Sequence, residues 1–388
     1  MYGEDGGQIP PDVADVIINY INNTDIFDDI KIEDNPCYVS VGEEVDRAYI
    51  DAVKEQSLLI KIPKNLKIVY TPIHGSGNKL VRSVLDEIGA KNVFVVPEQE
   101  LPDGNFPTVI SPNPENSEAF TIAIEYAKKQ NADVILGTDP DSDRIGVVVR
   151  KTDGTFAVLS GNQTGVLLCE FILRKMQERG ELPTDGAIIK TIVTTQMIKI
   201  VADNYNIETV DVLTGFKFIG EKIKEFEKQG KYDKFIFGLE ESYGYLKGTY
   251  ARDKDAIVAA MLITELVADL KRQGKTLYDG LIELYEKYGY FKEGLKTITL
   301  AGIDGAEKIA DIMRGYRKNP PAKICGFNVL AIKDYTKGID NLPKADVMKF
   351  IFENGWLAIR PSGTEPKIKV YFGINTDSEE EITCLLTN

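Results

Sequence analysis

One histidine, His74, stands in 388 residues. Any centre that needs two, such as the zinc-binding HExxH helix, is thereby excluded. Cysteine is nearly as scarce: Cys37, Cys169, Cys325 and Cys384 lie far apart, with no CxxC pair. They read as reduced, mostly packed thiols of a cytoplasmic protein, not as a disulfide frame. No stretch approaches the roughly 18 uninterrupted apolar residues of a membrane span, so no membrane partner is expected. The opening MYGEDGGQIPPD is acidic and glycine-rich, unlike a signal or transit peptide. Positive charge is in deficit as well: 46 Lys and Arg face 60 Asp and Glu, a net charge of −14. That balance speaks against a nucleic-acid partner, whose phosphates want a basic surplus. It leaves small phosphorylated ligands open, since a few local arginines suffice for those.

What is present is ordinary globular material, 43% hydrophobic and 27% charged. The length calls for about two to four domains. The chain repeats one grammar: a short β-rich run, a small-residue loop, an amphipathic helix. Leu66–Ile73 reads as a strand, His74–Gly77 as its exit loop, and Leu80, Val81, Val84, Leu85 and Ile88 fall at helical spacing. A helix is expected over 117–131, strands over 133–137 and 145–149, and a hairpin turn at Asp153-Gly154. The grammar restarts near Gly161 and runs to the helix 277–288. From Tyr290 alternating strands with one helix take over. The expected organisation is a remnant at 1–40, α/β domains at 41–153 and 154–289, and an α+β domain at 290–388. Residues 1–12 resemble a loop more than a terminus, and the helix begun at Ser378 stops within a few turns, so both ends are expected to be cut.

Three loops carry chemistry. Asp139-Pro-Asp141-Ser-Asp143-Arg144 lies between two apolar strands. Alternate residues of an extended turn point the same way, so the three carboxylates converge and call for a hard cation such as Mg²⁺. The alternative is a solvated acidic turn. An EF-hand fails, because Arg144 and Arg150 stand where that loop needs glycine and glutamate. Glu240-Glu241-Ser242-Tyr243-Gly244 follows a strand, at the sheet end where α/β folds bind ligands; its acceptors suit sugar hydroxyls, or it is a polar loop. Arg360-Pro-Ser362-Gly363-Thr364 joins two strands and has the parts of a phosphate cradle, with Lys369 as a further cation, or is a hairpin turn. Gly75-Ser-Gly77-Asn-Lys79 matches neither nucleotide-binding spacing and reads as a strand-to-helix turn. His74 reads as a packed or capping residue rather than a catalytic base.

In this order and at these separations the motifs resemble the α-D-phosphohexomutase superfamily over nearly the whole chain. DPDSDR resembles its metal loop, GLEESYG (238–244) its sugar-selecting loop in the glucose-type form, RPSGT its phosphate loop, and Thr214-Gly215-Phe-Lys217 a further turn near the sugar. The resemblance implies domains arranged around a central cleft, with Mg²⁺ on Asp139, Asp141 and Asp143. It implies sugar phosphate held by Thr214, Gly215, Lys217, Glu240, Ser242, Arg360, Ser362, Gly363, Thr364 and Lys369, with Arg144 and Lys254 in catalytic roles. It implies interconversion of glucose 1-phosphate and glucose 6-phosphate through a phosphoserine, with glucose 1,6-bisphosphate as primer. The family's Thr-Ala-Ser-His-Asn-Pro-like nucleophile loop has no counterpart in these residues; Ser111-Pro-Asn-Pro114 lacks the histidine and falls in the second domain. Residues 1–40 resemble the stretch that follows that loop, so the chain is expected to be inactive alone. Pentose or N-acetylglucosamine phosphates, a non-catalytic sugar-phosphate binding module and a calcium-binding structural protein are the rival expectations.

Overall fold

A computed structural model of the chain describes residues 1–9, 11–29, 39–300, 304–362, 366–378 and 380–382. After the helices α1 (Pro11–Asn22) and α2 (Glu43–Lys54) comes a five-stranded sheet. It is built from β1 (Ile68–Thr71), β2 (Val93–Val95), β3 (Val134–Thr138), β4 (Ile145–Arg150) and β5 (Phe156–Val158), with α3 (Asn78–Glu87) and α4 (Thr121–Gln130) between its strands. Spatial order is β2-β1-β3-β4-β5, the first two pairings parallel and the last two antiparallel. Every residue of β1 and β3 is buried, which is why both read as continuous rather than alternating apolar runs.

The second unit runs α5 (Gly161–Glu178), β6 (Ala187–Thr191), α6 (Met197–Asn204), β7 (Glu208–Val212), α7 (Lys217–Lys228), β8 (Phe235–Glu240), β9 (Gly244–Lys247), α8 (Ala256–Arg272) and α9 (Leu277–Tyr288). Its sheet is ordered β7-β6-β8-β9. Helix α8 buries every residue from Ala256 to Leu270, so it is a core strut covered on all sides, its buried Glu265 and Asp269 paired with neighbouring segments. The third unit is an antiparallel sheet, β10-β15-β14-β13-β12-β11. It comprises β10 (Tyr290–Thr299), α10 (Gly305–Lys318), β11 (Lys323–Ile324), β12 (Phe327–Asp334), β13 (Met348–Phe352), β14 (Gly355–Pro361) and β15 (Lys367–Thr376). The architecture is the expected one of consecutive α/β units followed by an α+β unit.

Local departures from the sequence expectation have physical causes. The helix expected over 117–131 opens as a 3₁₀ turn at Ser117–Phe120 before α4. Phe120 there fills the space that Gly137 and Gly146 leave open. Of the cysteines, Cys169 is buried and Cys325 is exposed; Cys37 and Cys384 lie outside the described residues. No helix among the described residues is long and apolar enough to cross a membrane.

The units are joined where function is expected. Tyr49 of α2 donates to Asp255 (2.7 Å), the residue that caps α8. Glu265 of α8 accepts from the Ser57 hydroxyl and from the Leu58 and Ile60 amides. Across the next boundary, Lys349 donates to the Ile192 carbonyl at 2.5 Å. Beside it, Ile192, Val193, Leu213, Tyr335, Trp356, Ala358 and Tyr371 form one apolar cluster.

Candidate active site

The acidic loop between β3 and β4 folds around its own first carboxylate. Asp139 is fully buried; one of its oxygens accepts the Asp143 and Arg144 amides (3.1 and 3.0 Å) and the other accepts Arg144 Nε at 2.7 Å. Three of about four lone-pair positions are used, so one is left for a cation. Burial, with the Asp143 charge beside it, pushes the Asp139 carboxyl up to about 6 against the pull of Arg144. Asp139, Asp141 and Asp143 bring ligand oxygens within 4.8 Å of one another. The donor set is all carboxylate oxygen, which fits a hard divalent ion. Ser142 reaches this geometry only with φ of 59°, a left-handed strain of about 1–3 kcal/mol of the kind that gathers at functional loops.

The sugar-type loop sits directly against it. Arg144 and Gly244 form an isolated antiparallel bridge. The Ile145 amide donates to the Tyr243 carbonyl (3.1 Å), and the Ala256 amide to the Ser142 carbonyl (3.1 Å). Lys254, at the mouth of α8, meets Asp143 at 2.9 Å and Asp253 at 3.0 Å. Burial works against its charge, but those carboxylates hold the ammonium above its ordinary value. Glu240 accepts the Gly215 amide at 2.8 Å, and Gly215 has φ of +115°, a backbone state glycine adopts freely. Burial, helped by Glu241, pushes Glu240 up to about 7, with Lys254 pulling the other way. Glu241 is braced inward: it accepts the hydroxyls of Thr191 (3.0 Å) and Thr194 (3.4 Å).

A cleft of about 450 Å³ opens between these loops and the C-terminal sheet. Thr214, Gly215, Glu240, Glu241, Ser242 and Tyr243 line one side, and Arg360, Lys369, Tyr371, Glu293 and Leu295 the other. Arg360 and Lys369 are register partners on β14 and β15. The three aspartates do not line the cleft; they meet it through Arg144, which contacts Glu115 on its wall at 3.2 Å. Lys217 is not brought to it. That side chain lies over Phe218 and borders a separate crevice with residues 3–5, 7–9 and Arg252. The Ser362 amide closes the loop base on the Lys367 carbonyl (2.8 Å), while Gly363 and Thr364 lie outside the described residues. His74 is packed, bonded to Thr108 and the Leu101 carbonyl. Sequence reasoning missed Glu115, Glu293 and Tyr371, which belong to no motif and enter only through the fold.

Two α/β units and an α+β unit meeting at a cleft, with an acidic loop on one unit and basic residues on another, define a multi-domain enzyme scaffold for charged small ligands. The phosphoglucomutase/phosphomannomutase family models match domain by domain: α/β/α domain II over residues 47–154, α/β/α domain III over 160–288 and the C-terminal domain over 307–383. A phosphoglucomutase of Staphylococcus saprophyticus is 38% identical over 401 residues, spanning 99% of this chain and 72% of its own. Among solved structures, a Thermus thermophilus phosphomannomutase superposes with a TM-score of 0.69 at 19% identity, covering 99% of this chain and 72% of that one. An Aspergillus fumigatus N-acetylphosphoglucosamine mutase, in complex with GlcNAc-6P and magnesium, gives 0.51 at 14% identity, with coverage of 90% and 65%. The chain belongs to the phosphoglucomutase/phosphomannomutase family, the α-D-phosphohexomutases.

Proposed function

We propose that the cleft binds a glucose phosphate as part of phosphoglucomutase chemistry in the cytoplasm, with Mg²⁺ on Asp139, Asp141 and Asp143. The observation that carries this reading is the direct backbone stitching of the acidic loop to the Glu240–Gly244 loop, opposite Arg360 and Lys369. When bound, the ion neutralises charge on phosphoryl oxygens. Glu240 and Ser242 accept from sugar hydroxyls, and the Thr214-Gly215 turn holds Glu240 for that task. Arg360 grips the phosphate that does not react, with Lys369 and the residues 362–364 completing its cradle. Lys254 carries a proton to or from the sugar oxygen nearest Asp143, and Arg144 keeps Asp139 ionised. The same reading holds that these 388 residues bind and polarise without turnover, because the sequence contains no phosphoserine loop of the family type.

Calorimetric titration with glucose 1-phosphate tests the phosphate assignment. Arg360→Lys keeps the charge but loses the planar fork, so affinity should fall about tenfold, the loss of one charged hydrogen bond. Equal affinity in wild type and variant would reduce the loop to a turn.

A further inference from the structure

The charged run Arg252-Asp253-Lys254-Asp255 leads into α8. Asp255 caps the helix and Arg252 pairs with Glu227 at 2.7 Å, whereas Lys254 turns to the acidic loop. Its stem crosses Gly244 so closely that an added Cβ there would stand 2.3 Å from Lys254 Cδ. Its ammonium lies 5.7 Å from the centre of the Phe216 ring. The stem is therefore held along its length, and only the last bonds of the side chain can swing.

That head sits between two carboxylates. Asp143 Oδ2 is 2.9 Å away and Asp253 Oδ1 is 3.0 Å away. Asp253 is itself held from several sides. Its Oδ1 also accepts the Lys254 amide (2.8 Å), and its Oδ2 accepts the Tyr2 hydroxyl (3.3 Å) and Gln8 Nε2 (3.1 Å) from the N-terminal segment. Asp143 turns its other oxygen to Arg144, whose Nε is 3.6 Å from Oδ1. Both oxygens of Asp143 thus face a cation of the chain itself, so a metal ion on that carboxylate must share an oxygen with one of them. Repulsion scales with the product of the charges, and a divalent ion pushes on its neighbour twice as hard as a univalent one. Arg144 is tied down by Asp139 (2.7 Å) and Glu115 (3.2 Å). Lys254 has a second carboxylate already within reach.

We propose that Lys254 and the divalent ion exchange on Asp143: as the ion binds, the ammonium gives up Asp143 and rests on Asp253, which Tyr2 and Gln8 hold as its alternative seat. The proposal rests on Asp143 being a metal ligand. It makes Asp253 a positioning residue outside the acidic trio, and it frees a Lys254 N–H for a substrate oxygen only in the metal-loaded protein.

Calorimetric titration with Mg²⁺ alone, on wild type, Lys254→Met, Asp253→Asn and the double variant, tests this. Lys254→Met removes the competitor and should tighten Mg²⁺ binding about tenfold. Asp253→Asn removes the seat, keeps the ammonium on Asp143 and should weaken Mg²⁺ binding about fivefold. In the Lys254→Met background the same change should cost far less, because no ammonium is left to move. Equal losses in both backgrounds would mean that Asp253 acts on the ion through space alone and would overturn the proposal. Wild-type affinity in Lys254→Met overturns it as well. A wild type and a Lys254→Met protein that both take up no Mg²⁺ overturn the metal assignment beneath it. Should either single variant fail to fold, Lys254→Gln and Asp253→Ser read the same coupling, with the same outcomes deciding.

Discussion

Glu240 shows how a single residue trades stability for acceptor strength. Its carboxyl is buried and raised from 4.5 to about 7. Between those values the unfolded chain has released the proton and the folded chain has kept it, so stability falls as pH rises through that window and levels off above about 7. The shift corresponds to about 3 kcal/mol. Glu240→Gln keeps an acceptor for the Gly215 amide and removes the ionisation. The variant should therefore melt higher than wild type above pH 7 and show a flatter Tm–pH curve between 4.5 and 7. Parallel curves would mean that Glu240 is ionised throughout and that Lys254 fully compensates its burial. Asp141 gives the complementary test. It is the exposed member of the acidic trio and has no hydrogen bond to lose among those described, so Asp141→Asn should leave Tm unchanged and weaken Mg²⁺ binding measured by calorimetry. Unchanged affinity would sink the metal assignment. Both residues were legible in the sequence because their loops carry the chemistry on adjacent positions. Glu115, Glu293 and Tyr371 were not, because each sits alone in its segment and gains meaning only from residues far along the chain.

At the scale of elements, the turn between β1 and α3 is more than a connection. The Ser76 amide and hydroxyl both donate to the Pro140 carbonyl, at 2.9 and 3.0 Å. Gly75 lies so close beneath that loop that an added Cβ would stand 2.4 Å from Pro140 Cα and 2.8 Å from two backbone carbonyls. Backbone cannot swing away as a side chain can. Gly75→Ala should therefore cost about 1–3 kcal/mol and also weaken Mg²⁺ binding, since relief requires the acidic loop to move. Gly315 on α10 is the control: it is exposed with nothing within 4 Å of its built Cβ, so alanine there should stabilise by about 0.5–1 kcal/mol. Melting curves and a Mg²⁺ titration on the pair decide it, and a Gly75→Ala protein with wild-type values for both would show that the turn does not brace the loop. The turn was recognisable from its glycines after a strand, but the brace was not, because spacing within one segment says nothing about what lies above it. For the same reason α7 escaped the periodic reading, although Ile219, Ile223 and Phe226 share its buried face. Four lysines and three glutamates between and beside them dilute the apolar signal.

At the scale of the whole molecule, the proposed reading has the chain hold its ligand without a residue to carry the phosphoryl group. Three hydroxyls around the cleft already have work: Ser160 caps α5 by accepting the Gln163 amide, and Thr191 and Thr194 donate to Glu241. Ser242 lines the cleft but belongs to the loop assigned to the sugar. Two-step phosphoryl transfer needs a group that carries the phosphoryl between steps. Positioning and charge stabilisation lower the barrier of each step without providing that carrier. The expected outcome is that this chain titrates with glucose 1-phosphate and shows no mutase turnover in a coupled assay with Mg²⁺ and glucose 1,6-bisphosphate. The Staphylococcus saprophyticus enzyme, run beside it, supplies the positive control. Turnover comparable to that control would mean that a residue of these 388 does carry the phosphoryl group. Loss of such turnover in Ser242→Ala, with glucose 1-phosphate binding retained, would identify Ser242 as the carrier and overturn its assignment to the sugar.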